Sequence, residues 1–204
     1  MHHQPKPLRF LALGDSYTIG EAVEVQQRWP NQLVAMLAEK EVSFETPQII
    51  ATTGWTTDEL SAAIDRENPQ GTFDLVSLLI GVNNQYRGYS LESYTSEFEA
   101  LLKRAIAFAG DDASKTVVIS IPDWGATPFA ADRDRVLISK EIDAFNAANK
   151  EISMKYRIAY IDITQHSRLA WNDSTMTTTD LLHPSGMVYT HWARMVSEWY
   201  VKKP

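Results

Sequence analysis

The chain has no cysteine among its 204 residues. That excludes a disulfide framework, a thiolate nucleophile and a sulfur-based zinc site, and it leaves the redox compartment open. Basic charge is scarce too: 19 lysines and arginines stand against 26 aspartates and glutamates, a net charge of -7. No basic stripe is available to neutralise phosphates, so no nucleic-acid partner is expected. The same balance disfavours docking on anionic lipid, and no stable membrane association is expected. No apolar run approaches the roughly 20 residues of a membrane span. Residues 1–7, Met1-His2-His3-Gln4-Pro5-Lys6-Pro7, lack the apolar core of a signal peptide. They read as an N-terminal tail, either a native start or one left after removal of a leader. A cytoplasmic location and a periplasmic or secreted one therefore both stay open.

Repeats, low-complexity segments and linkers are also missing, so residues 8–204 read as a single domain. Hydrophobic residues make up 44% and charged residues 22%, which is ordinary for a soluble globular chain. What is present is a strict alternation. Short apolar runs are expected as strands at Leu8–Leu13, Gln48–Ala51, Phe73–Ile80, Thr116–Ile121 and Ile158–Ile163. Between them lie helical patterns. One opens at Trp29-Pro30 with Leu33, Val34 and Leu37, and a second at the Thr56/Glu59 capping box with Leu60 and Ile64. A third runs from Ser90 to Phe108 before Gly110, a fourth carries Ile138, Ile142, Phe145 and Ile152, and the last begins near Pro184 or Ser185. Alternating strands and helices predict a parallel sheet with right-handed crossovers and helices on both faces. Periodicity does not give the strand order.

Gly14-Asp15-Ser16-Tyr17 follows the first strand. A hydroxyl there can line a cleft, because ligands of open α/β sheets bind at the carboxyl ends of strands. It can equally belong to an ordinary strand-to-helix turn capped by Asp15 and Ser16. Serine is a poor nucleophile without a neighbouring base. His2 and His3 lie in the tail, His166 in a long polar loop, and His191 in the last helix as a partly buried residue. His183 stands three residues after Asp180, so one loop can present both, with Asp180 holding the imidazole in the tautomer that accepts the serine proton.

Taken in order, Gly14-Asp15-Ser16, Gly54, Gly81-Val82-Asn83-Asn84 and Asp180-Leu181-Leu182-His183-Pro184 resemble the sequence blocks of the SGNH hydrolases, the GDSL esterase/lipase family. The resemblance runs from about Leu8 to the last helix. It implies a three-layer flavodoxin-like fold with a five-stranded parallel sheet, order 2-1-3-4-5, whose motifs open on one rim. It implies a serine esterase with Ser16, Asp180 and His183 as catalytic residues. The backbone N–H groups of Ser16 and Gly54 and the side-chain amide of Asn83 would form the oxyanion hole. No metal and no organic cofactor is called for. The expected partner is a small acyl ester or thioester; a carbohydrate O-acetylesterase would use the same residues, and a non-catalytic small-ligand module is the alternative of another class. The oligomeric state stays open.

Two departures stand out. Asn84 replaces an aspartate common in that block, which removes a loop-bracing carboxylate beside Asn83. Tyr17 replaces the commoner leucine and is expected to alter the wall near Ser16. Asp15 is expected to brace its loop. The long loops are poor candidates for an apolar lid: Thr164–Thr179 is polar, with only Leu169, Trp171 and Met176, and the loop after Pro122 carries Trp124 and Phe129 before turning charged at Asp132-Arg133-Asp134-Arg135.

Overall fold

The computed structural model describes residues 6–203. Most of the tail read from residues 1–7, including His2 and His3, lies outside the described residues. Five strands, β1 (Phe10–Gly14), β2 (Gln48–Ala51), β3 (Leu75–Leu79), β4 (Thr116–Ile119) and β5 (Ala159–Ile161), form an all-parallel sheet in the order β2-β1-β3-β4-β5. This is the order the resemblance implies. β1, β3 and β4 are buried throughout, as continuous apolar runs covered on both faces must be, while β2 and β5 at the edges are partly open.

Parallel strands need long crossovers, and helices supply them. The helices are α1 (Ser16–Ile19), α2 (Trp29–Ala38), α3 (Thr57–Glu67), α4 (Val82–Tyr86), α5 (Leu91–Phe108), α6 (Arg135–Lys155), α7 (Thr164–Ser167) and α8 (Gly186–Lys202). α2 packs on α8, whereas α3 packs on α5 and α5 on α6, so two helical layers enclose the sheet. The capping signals hold. Thr56 and Glu59 form the capping box of α3, the Ser90 hydroxyl accepts the Ser93 N–H at 3.1 Å, and Gly110 turns the chain after α5 at φ 72°. Among the described residues no helix is long and apolar enough to cross a membrane.

Strand ends are shorter than the apolar runs suggest. Past Ser120, whose N–H still donates to the Ile161 carbonyl (2.9 Å), the ladder gives way to side-chain partners: the Ile121 N–H donates to Asn146 Oδ1 (2.8 Å) and the Ile163 N–H to Ser120 Oγ (2.8 Å). Leu8 sits in an isolated bridge with Phe44, outside β1. The polar stretch expected as a loop from Thr164 to Thr179 contains α7 and two short 3-10 turns. Their one-turn length gives no periodicity to read.

The core is continuous across both layers. Trp29, Trp192, Tyr94 and Phe98 are fully buried, and the Tyr94 hydroxyl is satisfied by the Ile80 carbonyl (2.9 Å) and Asn149 Oδ1 (2.7 Å). Trp192 also reaches toward the site, with its ring centroid 6.5 Å from that of Tyr17. Removing so large a buried side chain leaves a cavity as well as lost burial. Trp192→Ala is expected to destabilise the fold by about 3–5 kcal/mol, read as a fall in the urea midpoint.

Candidate active site

β1 ends at Gly14, where a Cβ would stand 2.5 Å from the Leu79 carbonyl and 2.2 Å from Thr18 Oγ1. Only glycine lets β1 and β3 lie this close while α1 turns away at once. Asp15 then caps α1, one carboxylate oxygen accepting the Tyr17 N–H at 3.0 Å. This fixes Ser16 as the first helical residue, at the carboxyl end of the central strands.

After β2, the Trp55 N–H bonds back to the Thr52 carbonyl, and Gly54 takes φ 88° in the turn so closed. A positive φ of that size suits the third position of a type II turn and favours glycine. After β3, α4 presents Asn83, whose Nδ2 donates to the Trp55 carbonyl at 3.0 Å and lies 3.5 Å from the second Asp15 oxygen. Asn84 is fully buried and does the bracing with an amide where a carboxylate is common. Its Oδ1 accepts the Thr57 N–H (3.1 Å), its Nδ2 donates to the Thr57 hydroxyl (2.7 Å), and that hydroxyl donates onward to Glu97.

The last element is a loop cross-braced at its base. Thr177 and Pro184 form an isolated antiparallel bridge, the Thr178 N–H donates to the His183 carbonyl (2.8 Å), and Leu181 takes φ 64° at the tip. The chain so folded wraps Asp180. One of its carboxylate oxygens accepts the N–H groups of Leu182 and His183 and the Thr178 hydroxyl, at 2.9, 2.9 and 2.8 Å. The other lies 2.6 Å from His183 Nδ1. Partial burial pushes against ionisation, but the His183 ring and these donors outweigh it and hold the carboxyl down at about 2. Beside an ionised Asp180, His183 Nδ1 carries a proton, which leaves Nε2 as the acceptor. The Tyr17 ring packs on the imidazole, with centroids 5.3 Å apart.

Ser16, Gly54, Asn83 and His183 all line one cleft of about 190 Å³, with Tyr17, Thr53, Val82, Tyr86, Trp124, Phe129 and Leu182. Asp180 stands behind His183. Among the described residues no hydrogen bond joins Ser16 to His183. The aromatic wall is fixed from behind: the Trp124 indole N–H donates to Gln85 Oε1 (2.7 Å), and Gln85 Nε2 donates to Glu141 (2.7 Å). Arg135 stacks 3.5 Å above the Trp171 ring and donates to the Gly125 and Thr127 carbonyls. The Phe129 N–H donates to the Leu181 carbonyl at 3.0 Å, which ties this wall to the His183 loop. Tyr86 escaped the reading of the sequence. It lies three residues after Asn83 and shares its helical face, a signal visible only once Val82–Tyr86 is known to be helical. His166 and His191 stack on each other, centroids 3.8 Å apart, outside this cleft. Among the described residues no group of three or more histidine or carboxylate side chains could hold a metal ion.

Asp15 differs from Asp180 in having few donors. Complete burial pushes its carboxyl up to about 7, only partly offset by backbone N–H groups. In the unfolded chain it ionises near 3.8. Its protonation therefore contributes stability that is full below pH ~4 and lost as pH rises toward 7, on the order of 4 kcal/mol in all. Asp15→Asn keeps an oxygen for the Tyr17 N–H and removes the titration. The stability difference between variant and wild type should move in the variant's favour by a few kcal/mol between pH 4 and pH 8, as urea denaturation at fixed pH values will measure.

No curated protein sequence matches the chain at a significant level. Solved structures do match it in fold. TesA superposes with a TM-score of 0.71 at 17% identity, over 94% of this chain and 97% of its own. Axe2, an acetylxylan esterase from Geobacillus stearothermophilus, gives 0.72 at 16% identity, over 95% and 94%. The psychrotrophic esterase EstA from Pseudoalteromonas sp. gives 0.67 at 16% identity, over 95% and 98%. The model of the GDSL-like lipase/acylhydrolase family matches residues 12–190, and the chain thus belongs to that family of serine esterases.

Proposed function

We propose that residues 8–204 act as one hydrolase domain that cleaves small soluble acyl esters or thioesters through an acyl-serine intermediate. The observation that carries this reading is the convergence of Ser16, Gly54, Asn83 and an Asp180-oriented His183 on one small cleft. Ser16 Oγ attacks the acyl carbonyl while His183 Nε2 takes its proton. The imidazolium so formed faces the ionised Asp180, and it returns the proton to the departing alcohol or thiol. The N–H groups of Ser16 and Gly54 and the Asn83 amide receive the oxyanion. Water then repeats the sequence on the acyl-enzyme, with His183 again as base, and frees the acid. No step needs a metal or an organic cofactor.

The size of the cleft supports a small acyl group. The cleft volume of about 190 Å³ lies below the roughly 300–1,000 Å³ of pockets that enclose drug-sized ligands. The loop that supplies Trp124 and Phe129 is tied down by Arg135, Gln85 and Leu181 and does not have the loose, apolar character of a lipase lid. Tyr86 and Phe129 favour a second reading: they are 49% and 42% exposed at the cleft and offer flat apolar faces to a sugar ring. A carbohydrate O-acetylesterase would use them so, and Axe2 is an acetylxylan esterase of the same fold.

Ser16→Ala should lower the esterase rate by on the order of 10⁴ to 10⁶ with little change in melting temperature, since only a small hydroxyl is lost. A fluorophosphonate should label Ser16 in the wild type; an unlabelled protein would instead be a binding module. Across p-nitrophenyl esters, kcat/KM should be highest from acetyl to butyryl and fall toward decanoyl, with no activation at an emulsion interface. A maximum at decanoyl or beyond would overturn the size argument, and preference for acetylated sugars would select the second reading.

A further inference from the structure

The turn that carries Gly54 leaves the direction of one N–H open. In a turn of this kind the peptide between the second and third residues, here Thr53 and Gly54, can flip when φ of the third residue changes sign. The flip reverses the N–H of that residue. Glycine takes either sign of φ without penalty, so residue 54 does not choose by itself.

Side chains that follow β3 hold the peptide after Gly54, the frame from which the Gly54 N–H projects. Asn83 Nδ2 holds the Trp55 carbonyl at 3.0 Å, and one helical turn later Arg87 Nη2 holds the Gly54 carbonyl at 2.5 Å. The second bond is short and charge-assisted, the stronger class of hydrogen bond. Arg87 is itself anchored, its guanidinium 3.3 Å from Glu59. Glu59 also accepts the Thr56 N–H at 2.9 Å in the first turn of α3, so turn, helix cap and guanidinium form one connected unit. A Cβ placed on Gly54 would meet Arg87 Nη2 at 3.6 Å and nothing else within 4 Å, so the guanidinium sits on the turn. Arg87 is half-exposed and does not line the cleft.

We propose that Arg87 is a positioning residue of the ester hydrolase: by holding the Gly54 carbonyl it fixes the turn from which the Gly54 N–H meets the oxyanion. The proposal rests on the site assignment above. Arg87 touches neither substrate nor reacting atoms. Its effect falls on charge that exists only during reaction, so it belongs in kcat, while KM and stability change little.

The test compares wild type, Arg87→Met and Arg87→Lys on p-nitrophenyl butyrate. Removing a whole oxyanion donor costs a factor of about 10² to 10³ in kcat. Loosening one should cost less, and Arg87→Met is expected to lower kcat by on the order of 10- to 100-fold with KM within about twofold. Inhibition by a short-chain trifluoromethyl ketone, which binds as a tetrahedral oxyanion, should weaken by the same factor. Arg87→Lys keeps the charge but cannot hold Glu59 and Gly54 with one planar fork. It should retain part of the rate, and it decides the matter by the same kcat criterion should Arg87→Met not fold. Unchanged kcat, or a raised KM at unchanged kcat, overturns the proposal. Failure of the underlying assignment shows separately: a wild-type Ser16 that takes up no fluorophosphonate refutes the nucleophile whatever Arg87 does. A labelled Ser16 with kcat indifferent to residue 87 refutes Arg87 alone.

Discussion

Because β1 is flanked by β2 on one side and β3 on the other, the chain reverses its direction across the sheet beside β1. The crossover after β1 lies in the α2/α8 layer and the later ones in the α3/α5/α6 layer, as right-handed connections require. A crevice is left at the carboxyl ends of β1 and β3, and it cannot be closed by either layer. The other features of the site depend on that opening. Ser16 stands at its edge because Gly14 lets α1 begin without a spacer, and Asn83 stands opposite because α4 begins directly after β3. The turn after β2 and the loop before α8 reach the same rim.

Two carboxylates at this rim have been driven apart by their surroundings. Asp180 has three donors on one oxygen and the imidazole on the other, and it stays ionised far below neutrality. Asp15 is more deeply buried and receives one N–H at 3.0 Å, with the Asn83 amide only at 3.5 Å, and burial raises it to about 7. Deeper burial and fewer donors act together on Asp15, and shallower burial with more donors on Asp180. Separation of this kind leaves one acidic group a permanent anion beside His183 while the other braces a loop.

The connecting elements hold the site more than its own residues do. Asn84 ties α4 to the start of α3 through Thr57, Arg87 ties it to the Gly54 turn, and Gln85 ties it to Trp124 and α6. Residues 84 and 85 of one short helix, with its C-cap Arg87, thus reach three neighbours. The amide at position 84 suits this network: it donates to the Thr57 hydroxyl, which is then free to donate to Glu97. A carboxylate there could only accept, and would set a second negative charge near Glu97.

Much of this was legible in the chain itself. Apolar runs of strand length alternating with helical patterns dictate a parallel sheet, because buried strands and amphipathic helices have no other common way to cover their apolar faces. The order of Ser16, Gly54, Asn83 and His183 and the three-residue spacing of Asp180 and His183 were also local facts, since one loop presents both members of that pair. Tertiary structure decided what spacing cannot encode. One-turn helices such as α1, α4 and α7 are too short to show a period, so the faces they present, and with them Tyr86 and Arg87, were invisible. Bonds such as Asn84 to Thr57, Arg87 to the Gly54 carbonyl and Trp124 to Gln85 join residues 27 to 39 positions apart. Their partners are chosen by the packing of elements and not by any pattern along the sequence. The elevated carboxyl of Asp15 has the same origin, because desolvation is a property of everything folded around a group, and the dipeptide that carries it says nothing of that.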